Sequence, residues 1–169
     1  MPEFVLNIGD AEEQDAFAKL DGFTRGYIEA LFFTDEEQLC EDSGREMPSV
    51  AFDTTTMESR FVGGDSPGFA DLAPKTLAAI IEDCRRFQEL HADLLQQAYE
   101  SESVSYDDEM AGRDFWYTRN GHGVGFWCRD LGDVGDELSE LCGWSSRKSA
   151  HPFPETDSYI GDDGKVYLS

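Results

Sequence analysis

The stretch "DFWYTRNGHGVGFWCRD", residues 114–130, places His122 within a few residues of Arg119, Asp114, Arg129 and Asp130, among several aromatic side chains. A histidine near carboxylates and guanidinium groups is the raw material of acid–base chemistry. Catalysis also requires an orienting partner and a substrate pocket, and a turn supplies neither by itself. The spacing therefore favours a histidine chosen for the turn over a catalytic one, and the chain is not expected to be an enzyme.

Metal and cofactor chemistry has no better footing. The three histidines, His91, His122 and His151, form no His-Glu-x-x-His pair, and the four cysteines are too widely spaced for a zinc site. His91 lies in an apolar helical stripe, where a buried, hydrogen-bonded histidine is the usual occupant. "GDDGK" lacks the downstream bidentate glutamate of a calcium loop, and "NGHGVG" does not link a strand to a helix as a phosphate-binding glycine loop would. Both read as turns, so no metal and no cofactor is expected.

Charge is the feature that departs most from the ordinary. The chain of 169 residues carries 13 basic and 36 acidic side chains, a formal net charge of −23. Direct binding to nucleic acid or to an anionic membrane face, both of which need lysine and arginine against phosphate, is thereby disfavoured. A basic partner is the natural complement. At about two charges per base pair, this excess matches roughly 12 base pairs of DNA. A solvated acidic face, or the general acidity of a salt-adapted proteome, accounts for the composition equally well.

Acidity is greatest in residues 1–65, with 16 acids against 4 bases. Two acidic runs lie in this part, "DAEEQD" (Asp10, Glu12, Glu13, Asp15) and "TDEEQLCED" (Asp35, Glu36, Glu37, Glu41, Asp42), and a third, "SYDDE" (Asp107, Asp108, Glu109), further on. These acids are the expected contacts to a basic partner, with Trp116, Arg119 and His122 of the opening stretch adding specificity.

The elements that would position these groups follow from periodicity. Phe23, Tyr27, Ile28, Leu31 and Phe32 predict a helix over about 23–33, with Asp21 as its cap. Residues 34–70 read as a long connection with one short strand or helix. Leu77, Ile80, Ile81, Cys84, Phe87, His91, Leu94, Leu95 and Ala98 trace one stripe, predicting a single central helix of about 25 residues after Pro74. "ESESVSYDDEMAGR" reads as an exposed acidic connector. A type I′ turn at Asn120-Gly121 would then make residues 114–130 a hairpin, with Tyr117 opposite Val124, and Trp116 and Trp127 on a glycine-lined face. Asp133 would cap a short helix, and Asp163-Gly164 would turn a second hairpin.

The sum is an α+β domain over 1–169, with N-terminal and central helices (about 10–99) packed on a small antiparallel sheet of two hairpins (about 113–169). Wide spacing, with three of the four cysteines in apolar patterns, predicts reduced, buried thiols, against a weaker alternative of two disulfides in a secreted protein. No apolar run reaches the length of a membrane span, and the first residues lack the pattern of a secretory signal.

In "DFWYTRNGHGVGFWCRDLGDVGDEL" and "YIGDDGKVYL", and also in "FTRGYIEALFFT" and "LAPKTLAAIIEDCRRFQELHADLL", the chain resembles a family of small acidic proteins of tailed bacteriophages and prophages. The likeness covers most of the chain from about residue 21. Tyr117, Cys128 and the basic insert "WSSRKSAHPFPETD" depart from the pattern. The resemblance implies a phage origin and the cytoplasm of a bacterial host, and it assigns no functional residues. In that setting the charge leads us to expect a non-enzymatic acidic DNA mimic, blocking the nucleic-acid-binding groove of a host defence or DNA-processing protein. The alternative expectation is a small-ligand or nucleotide-sequestering domain using the Trp116/Trp127 face.

Overall fold

The structure is a computed structural model and describes residues 4–169. The chain is α+β, with six α-helices and two separate two-stranded antiparallel sheets among the described residues. In chain order these are α1 (Ala11–Ala18), α2 (Gly22–Ser43), β1 (Ser49–Asp53), β2 (Glu58–Val62), α3 (Pro74–Leu90), α4 (Ala92–Tyr99), α5 (Asp108–Arg119), α6 (Asp133–Ser139), β3 (Ser158–Ile160) and β4 (Val166–Leu168).

Helix α2 begins where the sequence says it should, with the Asp21 carboxylate accepting from the Thr24 amide at 2.7 Å. It runs three turns beyond the expected end at Phe33. Leu39 and Cys40 lie seven and eight residues after Phe32 and are buried like it, so the apolar stripe continues through the acidic run. Gly44, at φ 71°, stops the helix with a left-handed turn that only a residue without Cβ adopts easily.

The largest correction concerns residues 114–130. No hairpin forms there, because residues 108–119 are helix α5. Asp107 caps it by accepting from the Met110 amide at 2.9 Å, so the presumed acidic connector is a helix start, and Tyr106 just before it is buried. The Asn120-Gly121 pair that suggests a type I′ turn ends the helix instead: Gly121 has φ 71°, and the His122 amide reaches back to the Tyr117 carbonyl at 2.9 Å. A hairpin turn and a helix C-terminus both need positive φ, and the dipeptide alone does not distinguish them.

Helices α2 and α5 run side by side in the same direction in close contact. Gly26 meets the Glu109 carbonyl and Gly112 meets the Phe23 carbonyl so nearly that a methyl group at either position would overlap the opposite backbone. Gly22 and Gly26, one turn apart, thus form a flat stripe against which α5 lies.

Around this crossing stands an aromatic core. Phe87 of α3 stacks on Phe115 of α5 with centroids 4.2 Å apart, and Phe23, Phe126 and Phe153 surround the pair. The central stripe is divided: α3 ends at Leu90 and α4 starts at Ala92, with His91 at φ −122° between them and half-buried against Phe87. Leu95 and Ala98 of α4 are buried, and α4 packs toward α6.

The Asp163-Gly164 hairpin forms as expected, with Tyr159 opposite Tyr167. Val166 is fully buried and its carbonyl accepts from the Ala73 amide, fastening the hairpin to the start of α3. The other hairpin is β1–β2, inside the presumed connection 34–70, in register from Ser49↔Val62 to Asp53↔Glu58. The two ribbons form separate sheets, so the helices do not pack on one shared sheet. β3 and β4 pack on α2 and α3, whereas β1 and β2 pack mainly on each other and project from the body. Cys40, Cys84 and Cys142 are buried and Cys128 is exposed, and all four thiols are free.

Candidate functional site

The expected site residues separate into three environments. Trp116 is 1% exposed and its indole N–H donates to Thr34 Oγ1 at 2.9 Å. Arg119 is buried as well: it donates to the Pro154 carbonyl at 2.7 Å and the Tyr27 hydroxyl at 3.1 Å, and pairs with Asp83 at 2.9 Å. Both were expected on a partner-facing hairpin; folding the segment as a helix turns them into the core. His122 is partly buried beside the Trp116 and Tyr117 rings, at centroid distances of 6.4 and 6.0 Å. Trp127 is exposed, so the two indoles do not line a common surface groove, and the glycine-lined ligand face is not formed.

Asp114 and Arg129, the other ends of the sketched acid–base site, form an ion pair in which the carboxylate is buried and the guanidinium partly exposed. Arg129 donates from Nε and Nη2 to the Asp114 carboxylate at 2.7–3.0 Å, and the Tyr106 hydroxyl donates to the same carboxylate at 2.7 Å. Burial, with the Asp114 charge next to it, drives the Tyr106 hydroxyl far above its ordinary pKa. A carboxylate so fully engaged has its hydrogen-bonding capacity spent on holding α5 to the segment that follows it.

Two of the three acidic runs have a local structural role. Asp10 caps α1 by accepting from the Glu12 and Glu13 amides, while Glu13 reaches back to the Asp10 amide at 3.1 Å. Asp15 pairs with Lys19 one turn on. At the start of α5, Asp107 is the cap, Asp108 accepts from the Glu109 amide, and Glu109 meets Arg25 at 3.1 Å and Arg113 at 3.8 Å. Acids in the first turn of a helix face the positive end of its dipole and stabilise it by about 0.3–1 kcal/mol each.

The third run is different. Asp35, Glu36, Glu37, Glu41 and Asp42 lie in the C-terminal half of α2; Glu41 and Asp42 fall in its last turn, at the negative end of the helix dipole, and that turn has no basic residue. Asp35 accepts from Ser158 Oγ at 2.6 Å and Glu36 from Ser66 Oγ at 2.7 Å. Glu37, Glu41 and Asp42 are exposed, and Asp42 has only the Gln38 amide as a neighbour, at 2.8 Å. None of these five acids takes part in an ion pair among the described residues.

Next to this end of α2 the chain exposes apolar side chains. Val50 and Phe52, on one face of β1, are each 54% exposed, and Met57 in the ribbon's turn is 71% exposed. Sequence reasoning missed this ribbon. The available signals were the alternation in "SVAFD" and the Asp53-Thr-Thr sequence, whose aspartate accepts from the Thr55 amide at 2.8 Å to start the turn.

Among the described residues no cluster of histidine, cysteine and carboxylate side chains could hold a metal ion, and no helix is long and apolar enough to cross a membrane. Comparison with protein-family models, curated proteins and solved structures finds no match to this chain. The candidate site is therefore defined by its own geometry: the acidic C-terminal half of α2 and the apolar ribbon that follows it.

Proposed function

We propose that the protein is a non-enzymatic, phage-encoded inhibitor that presents the acidic end of α2 to a basic nucleic-acid-binding groove of a host defence or DNA-processing protein, in the bacterial cytoplasm. One observation carries this reading: Glu41 and Asp42 are exposed in the last turn of α2, where negative charge is least favourable, and with the exposed Glu37 one turn earlier they have no ion-pair partner among the described residues. Charges placed against the local electrostatics cost folding stability, and they are best accounted for by a partner that neutralises them. Glu37 and Glu41 sit one turn apart, about 6 Å along the axis, so a groove's lysines and arginines can meet both from one side. The exposed Val50, Phe52 and Met57 of the ribbon that follows α2 offer apolar contact to the same partner.

The test is affinity capture from bacterial lysate on the wild-type chain and on a Glu37→Gln, Glu41→Gln, Asp42→Asn variant, followed by elution with duplex DNA. A DNA-binding protein held by the wild type, released by DNA and not held by the variant is the expected result. Identical proteins on both chains would reject the reading.

A further inference from the structure

At the base of the β1–β2 ribbon three stretches of chain line a half-open cavity of about 470 Å³. Phe4, Val5 and Asn7 form one wall, Glu36 of α2 another, and Pro48 with residues 63–67 the rest. The volume is in the range of small-ligand sites, about 300–1,000 Å³.

Its walls are held in place by bonds that cross between the segments. Asn7 Nδ2 donates to the Ser66 carbonyl at 3.0 Å, and Ser66 Oγ donates to Glu36 at 2.7 Å. Arg45 donates to the Asp65 carbonyl at 2.6 Å and carboxylate at 3.0 Å, and to Asp71 at 2.8 Å. At Gly64, φ is 86° and a Cβ would lie 2.5 Å from the Pro48 nitrogen, so the wall closes this tightly only with glycine.

The lining chemistry selects a ligand class. Among the described residues its charged members are Glu36 and Asp65, both acidic. Asp65 is matched by Arg45, but among the described residues Glu36 has only hydroxyl donation from Ser66 and no cation. An anion would be repelled. A neutral apolar ligand would strip water from the Glu36 carboxylate without replacing its hydrogen bonds, a loss that apolar contact does not easily offset. A cation with an apolar stem fits both features, with its head on Glu36 and its methylenes along Phe4, Pro48 and Pro67.

We propose that this cavity seats an alkylguanidinium or alkylammonium group, in the form of an arginine or lysine side chain from a protein partner. The side-chain source rests on the function proposed above; the cation chemistry rests on the cavity alone.

The test is a titration of the full chain by heteronuclear NMR at constant ionic strength, using N-butylguanidinium, with n-butanol as the neutral control and acetyl-Gly-Arg-Gly-amide as the side-chain probe. Saturable shifts at Asn7, Glu36, Gly64 and Ser66 with the cation and not with butanol, weakened at least tenfold by Glu36→Gln, are expected. That variant keeps an acceptor for Ser66 Oγ, and the wild-type titration stands by itself if it does not fold. Equal shifts with butanol, no saturation, or unchanged affinity in the variant overturns the inference. Tighter binding of the peptide than of N-butylguanidinium supports the side-chain source, and the reverse order overturns it. Because no partner is present, a failed titration leaves the α2 capture result untouched, and a failed capture leaves the cavity chemistry untouched.

Discussion

The two ends of α2 carry acids for different reasons. At its N-terminus, Asp21 caps the helix and the neighbouring α5 brings Asp107, Asp108 and Glu109 to the same edge, where two positive helix ends and Arg25 receive them. Toward its C-terminus, Glu37, Glu41 and Asp42 meet neither a positive dipole nor, among the described residues, a base within ion-pair distance. The same residue type, at similar density, is local structure at one end and unpartnered surface at the other. Net charge alone is thus a poor guide to a binding face; what matters is which acids the fold leaves unanswered.

The sharpest way to break the packed end is Gly112→Ala. Its methyl group would overlap the Phe23 carbonyl across the helix crossing, so the two helices must separate. A loss of about 3 kcal/mol is expected, the upper part of the usual range for overpacking, visible as a lowered urea midpoint.

Alkali should act next, on the buried core. Burial lifts the Cys142 thiol to about 12 and raises the Tyr27 and Tyr106 hydroxyls above their ordinary values. In the unfolded chain a thiol ionises near pH 8.5 and a phenol near pH 10, as rough guides. Above those values the unfolded state releases protons that the folded state retains, so stability is complete below about pH 8.5 and falls as pH rises. Urea unfolding at successive pH values should show a midpoint that decreases steadily above about pH 9, and a flat profile would contradict this burial.

A smaller effect is expected at the α5 cap. Asp107→Ala removes the acceptor for the Met110 amide and should cost about 1 kcal/mol. At the other end of α2 the sign reverses. Glu41→Lys with Asp42→Lys puts positive charge on a negative helix end and should leave stability unchanged or raise it by about 0.3–1 kcal/mol, while abolishing capture of the basic partner. Equal destabilisation by the Asp107 and the Glu41/Asp42 substitutions, measured by thermal unfolding at low salt, would erase the distinction between the two acidic groups.

Several elements were legible before folding because their signals are local. Asp21 and the stripe from Phe23 to Phe32 located the start of α2, Pro74 that of α3, and Asp163-Gly164 the closing hairpin. Other signals were ambiguous. Asn120-Gly121 supplies a positive φ that suits a hairpin or a helix end, and aromatic residues 115–117 suit a strand or a buried helix face. The acidic run 35–42 masks the apolar pair Leu39 and Cys40, so its composition reads as loop although it is the second half of α2.

The sequence by itself determined the class, the acid excess, the free cysteines and the absence of any metal-binding spacing, because composition and short-range spacing already contain them. Only the tertiary structure decided which acids are answered. Whether Glu109 finds Arg25, Asp114 finds Arg129 or Glu41 finds no base depends on contacts between residues far apart in the chain. Such pairings are set by how helices cross at Gly26 and Gly112, and no local pattern encodes where that crossing brings each side chain.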